Sequence, residues 1–200
     1  MNKFTSLLAG LAGALIAVPL HAQQGGGYFG VGALSSITDN ARDFALAADG
    51  SGADRSASGF KAYGGYLSQN GVGIEGGYYD LGRYEVSIDG TKSDDFSISA
   101  FAVSGVIAAP LGSAFLFSGK LGLAFTTVQY RCFQLCNVNL IDTKVTDVSA
   151  LLGAGLGWRV SRNFSLRADF EYLSDVTHAI GLVEENFPYR VFSLSGQFNF

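Results

Sequence analysis

Six ionisable side chains of this chain stand in stretches that are otherwise apolar, glycine-rich or hydroxyl-bearing. Isolated charges in such surroundings either pair with one another or line a path for ions. Pairing is expected from burial alone, because an unpaired ion in a low-dielectric interior is costly. We therefore predict one charge network, formed by Lys61, Glu75, Lys120, Arg167, Asp169 and Glu171.

The chain has two cysteines, Cys132 and Cys136, which are separated by three residues. In an exported protein, a pair at this spacing is expected to form a small disulfide loop. The same spacing suits a pair of metal ligands, but neither a histidine nor a further cysteine stands nearby in sequence. We predict a disulfide, no metal site and no cofactor.

A serine, an acid and a histidine stand close together at Ser174, Asp175 and His178. These are the residue types of a nucleophile, an orienting acid and a base. A catalytic triad is defined by geometry and not by closeness in sequence, and such residues are common in loops. We therefore predict that the protein is not an enzyme, with hydrolysis or acyl transfer as a remote alternative.

An acidic, glycine-rich pattern runs from Asp49 to Asp54, with Asp39 and Asp43 before it. Acidic loops of this kind can bind Ca²⁺, yet the spacing is not that of an EF-hand. A solvated loop is the simpler interpretation.

The charges lie in segments where apolar residues alternate with glycine or polar residues. Alternation with a period of two predicts β-strands that are buried on one face only. The chain contains eight such segments, at about residues 26–34, 59–67, 72–81, 96–108, 115–126, 152–159, 164–172 and 192–200.

The fourth segment has two competing registers. Phe101, Val103 and Ile107 would form its apolar face in one register, and Ile98 and Val106 in the other, together with Phe96. The sequence leaves this choice open.

The apolar faces of these segments carry no charge through the middle of each strand, as shown by Phe117, Leu121, Leu156 and Phe170. Strands can span lipid only when a closed sheet pairs every backbone N–H and C=O group. We predict an all-β fold, an eight-stranded antiparallel up-and-down transmembrane β-barrel with its apolar faces outward. A soluble, lipocalin-like barrel would turn them inward. Its outer surface would need more Lys and Glu than the 15% of charged residues in this chain supplies.

Tight turns alternate with long connections along the chain. The turns lie at residues 68–70, 110–112 and 161–163, and long polar loops are predicted at residues 35–58, 83–95, 131–143 and 174–188. Short turns on one side and long loops on the other are typical of outer-membrane barrels. Both termini are then expected on the periplasmic side.

The first residues have the features of a secretory signal peptide. A positively charged start is followed by an apolar stretch and a small residue at Ala22, so we predict that residues 1–22 are cleaved. A retained membrane helix is the alternative, but the segment is short for a span. Residues 23–200 then form one barrel domain, and the net charge of −4 argues against a nucleic-acid partner.

Three segments resemble the transmembrane domain of OmpA and its small eight-stranded relatives. They are residues 65–83, residues 166–172 and the closing segment of residues 193–200. The resemblance implies the bacterial outer membrane, surrounding lipid and lipopolysaccharide, and a monomer. It also implies insertion by the barrel-assembly machinery, with Phe198 and Phe200 in the terminal signal, although Ser195 stands where that signal usually has glycine. No peptidoglycan-binding domain is expected after the barrel.

The resemblance also implies an ion pair in the lumen between Glu75 and Arg167. The additional lysine and acid of the family are missing, because Val106 and Gly157 stand near those positions. A network with different connections is therefore expected here.

We predict a structural and surface-interaction role for this chain. Its lumen is plugged by charged side chains, and its long extracellular loops bind host, phage or envelope partners. The alternative is a narrow porin-like channel for ions or small solutes. Because some small outer-membrane barrels modify lipid A, a lipid A-modifying enzyme is the remote alternative.

Overall fold

The computed structural model describes residues 25–38, 51–53, 56–88, 91–132, 144–180 and 183–200. The predicted signal peptide lies outside these ranges, and its cleavage stays a prediction. No helix long and apolar enough to cross a bilayer occurs in the described residues. The strands are β1 (Gly26–Thr38), β2 (Ser51–Ala53), β3 (Ser56–Leu67), β4 (Val72–Ile88), β5 (Thr91–Leu111), β6 (Phe115–Cys132), β7 (Lys144–Arg159), β8 (Phe164–Ile180) and β9 (Val183–Asn199).

Eight of these strands close into a barrel. Each long strand pairs antiparallel with the next long strand along the chain, and β1 pairs with both β3 and β9. The pairing of β4 with β5 joins the two halves, so the sheet has no open edge between them. The short β2 lies outside this ring and pairs with the end of β4. The predicted eight-stranded antiparallel up-and-down barrel is confirmed.

The apolar faces point outward, as predicted. Leu121 is 68% exposed, and Phe117, Leu156 and Phe170 are also exposed. This finding excludes the soluble barrel, in which these side chains would fill the interior. A surface of this kind matches the hydrocarbon of a bilayer.

The register left open in the fourth segment is decided by the structure. Phe101, Val103 and Ile107 of β5 face outward, whereas Ile98 and Val106 are buried in the lumen. Both sets are apolar because this strand borders lipid on one face and apolar lumen on the other, so alternation alone could not distinguish them.

The lumen contains two apolar clusters. The larger, which we call the loop-side cluster, lies toward the ends of the strands that the long connections join. Its members are Leu34, Ala57, Tyr79, Leu81, Tyr84, Ile98, Ala100, Ala102, Ala124, Val128, Leu151, Leu173, Tyr189 and Val191. The smaller, the turn-side cluster, lies near the tight turns and comprises Tyr28, Tyr63, Leu67, Val106 and Ala108, with Leu116 packed against it.

The predicted tight turns are present. The turn after β3 contains Gly71 with φ of 75°, and the turn after β5 begins at Gly112 with φ of 71°. Such φ values favour glycine because it has no Cβ to clash with the backbone. In the turn after β3, the hydroxyl of Ser68 donates to the carbonyl of Val72 over 2.7 Å.

Two of the predicted long loops are wrong in extent. Strands run through most of residues 83–95 and 174–188, because β4 pairs with β5 as far as Ile88 and Thr91. Likewise, β8 pairs with β9 as far as Ile180 and Val183. Beyond the lipid band both strand faces can carry polar residues, so the alternation fades while the backbone ladder continues. The first loop is also shorter than predicted, since β1 reaches Thr38 and β3 begins at Ser56.

A charge placed in the middle of the outward face tests this orientation. Leu121 lies near the centre of the apolar run that extends along β6 from Phe115 to Phe125. We expect Leu121→Arg to lower the free energy of unfolding by about 2–4 kcal/mol, because the charge would lie in hydrocarbon. Urea unfolding in lipid vesicles measures this change, and Leu121→Phe is the matched apolar control. Equal stability of the two variants would contradict the outward placement.

Candidate functional site: a charged layer inside the barrel

All six of the ionisable side chains singled out from the sequence lie in the lumen between the two apolar clusters. Four strands supply them: Lys61 comes from β3, Glu75 from β4 and Lys120 from β6, while three come from β8. The three on β8 are two residues apart, so their side chains lie on the same face of the strand. None of the six is more than 7% exposed. We call this group the charged layer.

Arg167 and Glu75 face each other from opposite strands of the ring and meet across the lumen. Nη1 of Arg167 lies 2.7 Å from Oε2 of Glu75, and Nη2 lies 3.2 Å from Oε1. The same guanidinium donates through Nε to Asp169 over 2.9 Å and through Nη1 to Gln197 over 3.2 Å. Its planar donors thus hold Glu75 through two parallel hydrogen bonds and Asp169 through a third, and this forked contact is one that the single ammonium group of a lysine cannot make.

The two lysines link Glu171 to the two carboxylates that Arg167 holds. Nζ of Lys61 lies 2.9 Å from Oε2 of Glu171 and 3.1 Å from Oδ2 of Asp169. Nζ of Lys120 lies 2.6 Å from Oε1 of Glu171 and 2.9 Å from Oε1 of Glu75. Three cations therefore alternate with three anions, and the formal charge of the layer is zero.

Tyrosines complete the hydrogen bonding around the charged layer. The hydroxyl of Tyr28 donates to Oε2 of Glu75 over 2.9 Å, and that of Tyr79 donates to Oε1 of Glu171 over 2.9 Å. The ring of Tyr63 lies 4.7 Å from the guanidinium carbon of Arg167 and 5.0 Å from Nζ of Lys61. These contacts supply the partners that buried ions need in a low-dielectric interior.

This arrangement is suited to holding strands together and not to binding a metal. Each carboxylate faces cations, and no group of metal-ligating side chains suited to an ion occurs among the described residues. Removing one partner would leave a buried charge unpaired, which typically costs about 3–5 kcal/mol.

The glycines of β7 are a part of the site that sequence reasoning missed. A Cβ on Gly155 would collide with Oδ1 of Asp169 and lie 2.7 Å from Oγ of Ser118. A Cβ on Gly153 would lie 3.0 Å from Cγ of Glu171. These two glycines thus provide the space that the acids of the neighbouring strand occupy. The signal was present in the sequence, as glycines that alternate along one segment opposite charges that alternate along the next.

Lys120 occupies the lumen beside the position where the family's additional lysine was expected. Val106 of β5 is buried there and pairs directly with Lys120 of β6. The cation therefore enters the layer from the neighbouring strand.

The other predicted sites stay predictions. Cys136 lies outside the described residues, as do the side chains of Cys132, Asp175 and His178. The four acids of the predicted acidic pattern also lie outside them: Asp39, Asp43, Asp49 and Asp54. Oγ of Ser174 accepts a hydrogen bond from the backbone N–H of Ala150 over 3.2 Å. Phe198 and Phe200 are exposed beside the lipid band, and Phe198 packs against Phe29 with 5.8 Å between ring centroids.

Comparisons with known proteins agree with this architecture. The sequence profile of the OmpA-like transmembrane domain matches residues 22–191. Ail from Yersinia pestis, in complex with the heparin analogue sucrose octasulfate, is 18% identical with a TM-score of 0.59, over 89% of this chain and 100% of Ail. Neisserial surface protein A is 16% identical with a TM-score of 0.61, over 87% and 97% of the two chains. OprG from Pseudomonas aeruginosa is 14% identical with a TM-score of 0.59, over 90% and 98%. Among curated proteins none matches the chain.

Filling the space beside Asp169 tests the role of the charged layer in stability. We expect Gly155→Ala to lower the free energy of unfolding by about 1–3 kcal/mol, since the added methyl group must displace a side chain held by Lys61 and Arg167. Gly105→Ala is the matched control on the lipid face, where the nearest heavy atom lies 3.8 Å from the added Cβ. Its effect should stay within about 0.5 kcal/mol. Urea unfolding in vesicles compares the two, and equal effects would contradict this role.

Proposed function

The chain belongs to the OmpA-like transmembrane domain family, and we propose that it is a closed structural barrel of the bacterial outer membrane whose loop side binds a partner outside the cell. The observation that carries this proposal is the filled lumen. The loop-side cluster and the charged layer occupy the interior one above the other. The interior of an eight-stranded barrel is just wide enough for its own side chains to fill it.

The loop-side cluster is the more effective barrier of the two. Leu81, Leu151, Tyr84 and Tyr189 are each 0% exposed. The rings of Tyr84 and Tyr189 pack edge to face with centroids 6.2 Å apart. An ion crossing this region would leave water for a mainly apolar layer, and its desolvation would be costly. This supports a closed barrel over the narrow channel.

The cellular setting is part of the proposal. Residues 1–22 direct export and are removed, both termini of the mature chain lie in the periplasm, and Phe198 and Phe200 belong to the signal that the barrel-assembly machinery reads. The mature protein is a monomer surrounded by lipid and lipopolysaccharide. The alternation of short turns with longer connections supports this orientation.

The loop side presents hairpins that extend well beyond the lipid band. Asp80 is the first charged residue on the outward face of β4, and the strand continues for eight more residues to Ile88. At about 3.3 Å per residue, this part of the strand is about 25 Å long. A paired hairpin of this length is a defined surface for a partner, and not only a flexible tether.

The charge of these segments indicates the chemistry of the partner. Residues 35–58, 83–95 and 174–188 each contain more acidic than basic residues. A polyanion such as the sulfated ligand of Ail would be repelled by this charge. We propose a partner protein with a basic surface. An enzymatic role is not proposed, because no described group of residues combines a nucleophile with a base.

Planar-bilayer recordings test the closed lumen. We expect the purified wild-type protein to give no large steady current, because the loop-side cluster blocks the path. Leu81→Ala/Leu173→Ala removes volume from opposite strands of this cluster and is expected to increase ion flow. Heat-dependent gel mobility would verify that both proteins are folded. Large steady currents from the wild-type protein would contradict the proposal and favour a channel.

Binding to intact cells tests the proposed charge selectivity, because only the loop side is then accessible. We expect cells that display the protein to bind no more fluorescent heparin than isogenic cells without it, at physiological ionic strength. The same cells are expected to bind more of a basic protein such as lysozyme, because opposite charges attract. Saturable heparin binding that depends on the protein would contradict the proposed partner class.

A further inference from the structure

A cavity of about 380 Å³ opens at the turn-side mouth of the barrel. Its inner end is formed by Arg167 and Gln197, which belong to or contact the charged layer. One wall is apolar and contains Leu67, Val106 and Leu116. We call this cavity the vestibule. Its size falls in the range of small-molecule sites.

The vestibule is also lined by two cations. Arg159, at the end of β7, and Arg162, in the following turn, both line it. Neither forms an ion pair or a side-chain hydrogen bond with any described residue. None of the described lining residues is an aspartate or a glutamate. A chain with a net charge of −4 thus concentrates unpaired positive charge at one mouth.

Gly157 leaves open space in the vestibule beside these cations. It lies on β7 two residues before Arg159 and pairs directly with Arg167 of β8. With no side chain at this position, the lumen stays open beside Arg167. A Cβ here would meet its nearest heavy atoms only at 3.7 Å, so a larger residue can be introduced without a backbone clash.

We propose that the vestibule binds a small soluble anion that carries a phosphate or carboxylate group on an apolar body. The two free guanidiniums provide forked donors that match the oxygens of such a group. Leu67, Val106 and Leu116 provide the surface for the apolar body. The cavity ends at the charged layer, so the ligand binds there and does not pass through.

The inference rests on the fold and not on the proposed loop partner. In the proposed orientation the vestibule faces the periplasm. Binding measured in nanodiscs reaches both mouths, so an error in the orientation would leave the result unchanged.

Phenyl phosphate is the probe for this site. We expect it to shift the backbone amide signals of Gly157 and Arg159 saturably in the NMR spectrum of the full-length protein in neutral-lipid nanodiscs. Inorganic phosphate should bind more weakly because it lacks an apolar body, and benzylamine should not bind because it is cationic. Equal binding of phenyl phosphate and inorganic phosphate, or binding of benzylamine, would overturn the proposed ligand class.

Two sets of variants test whether phenyl phosphate binds in the vestibule. Arg159→Gln/Arg162→Gln is expected to weaken binding by about tenfold or more, as expected for the loss of charge-assisted hydrogen bonds. Gly157→Leu is expected to abolish it by filling the cavity. Arg190→Gln on the loop side and Gly105→Leu on the lipid face are the matched controls, and both should bind like the wild-type protein. Unchanged binding in the folded Arg159→Gln/Arg162→Gln variant, or in the folded Gly157→Leu variant, would overturn the proposal.

Discussion

Backbone hydrogen bonding in hydrocarbon is the constraint on which this structure depends. Lipid offers no partner to an N–H or C=O group, so a strand that crosses it must be paired on both sides. The chain meets this requirement because β1 pairs with β9 and closes the ring. All neighbouring strands of the ring pair in antiparallel fashion, so each barrel strand has a partner on both sides. Each strand of the closed barrel has one face in lipid and one in the lumen. Apolar side chains therefore occupy every second position, on the face that points outward.

Closure creates a second problem, which is how to fill a narrow cylinder without a water-filled gap. Most of the solution is apolar, but a layer of three cations and three anions crosses the lumen between the apolar clusters. Its members come from opposite sides of the ring, as Arg167 and Glu75 do. Such pairs are weak evidence of added stability, because desolvation offsets much of their attraction. They do oppose shifts in strand register, since moving one strand would leave buried charges without partners.

The two ends of the barrel differ in chemistry. The loop side carries an excess of acidic residues, and two of its acidic segments are hairpins that continue as paired strands beyond the lipid band. The turn side is short and has a cationic cavity that stops at the charged layer. The closed barrel that we propose would therefore present two independent surfaces, one on each side of the membrane, without connecting them.

Alternation along the chain determined the number of barrel strands, their outward faces and the tight turns, because a period of two and turn-forming residues are local properties. The same alternation brought the six charged residues to the inner face. Beyond the pair of Glu75 with Arg167, which the resemblance implied, only the tertiary structure decided which of them pair, since Lys61 and Lys120 reach Asp169 and Glu171 through the curvature of the ring. It also decided the register of β5 and the extension of the hairpins. These features depend on what lies across the lumen or beyond the lipid band, and no local pattern records that.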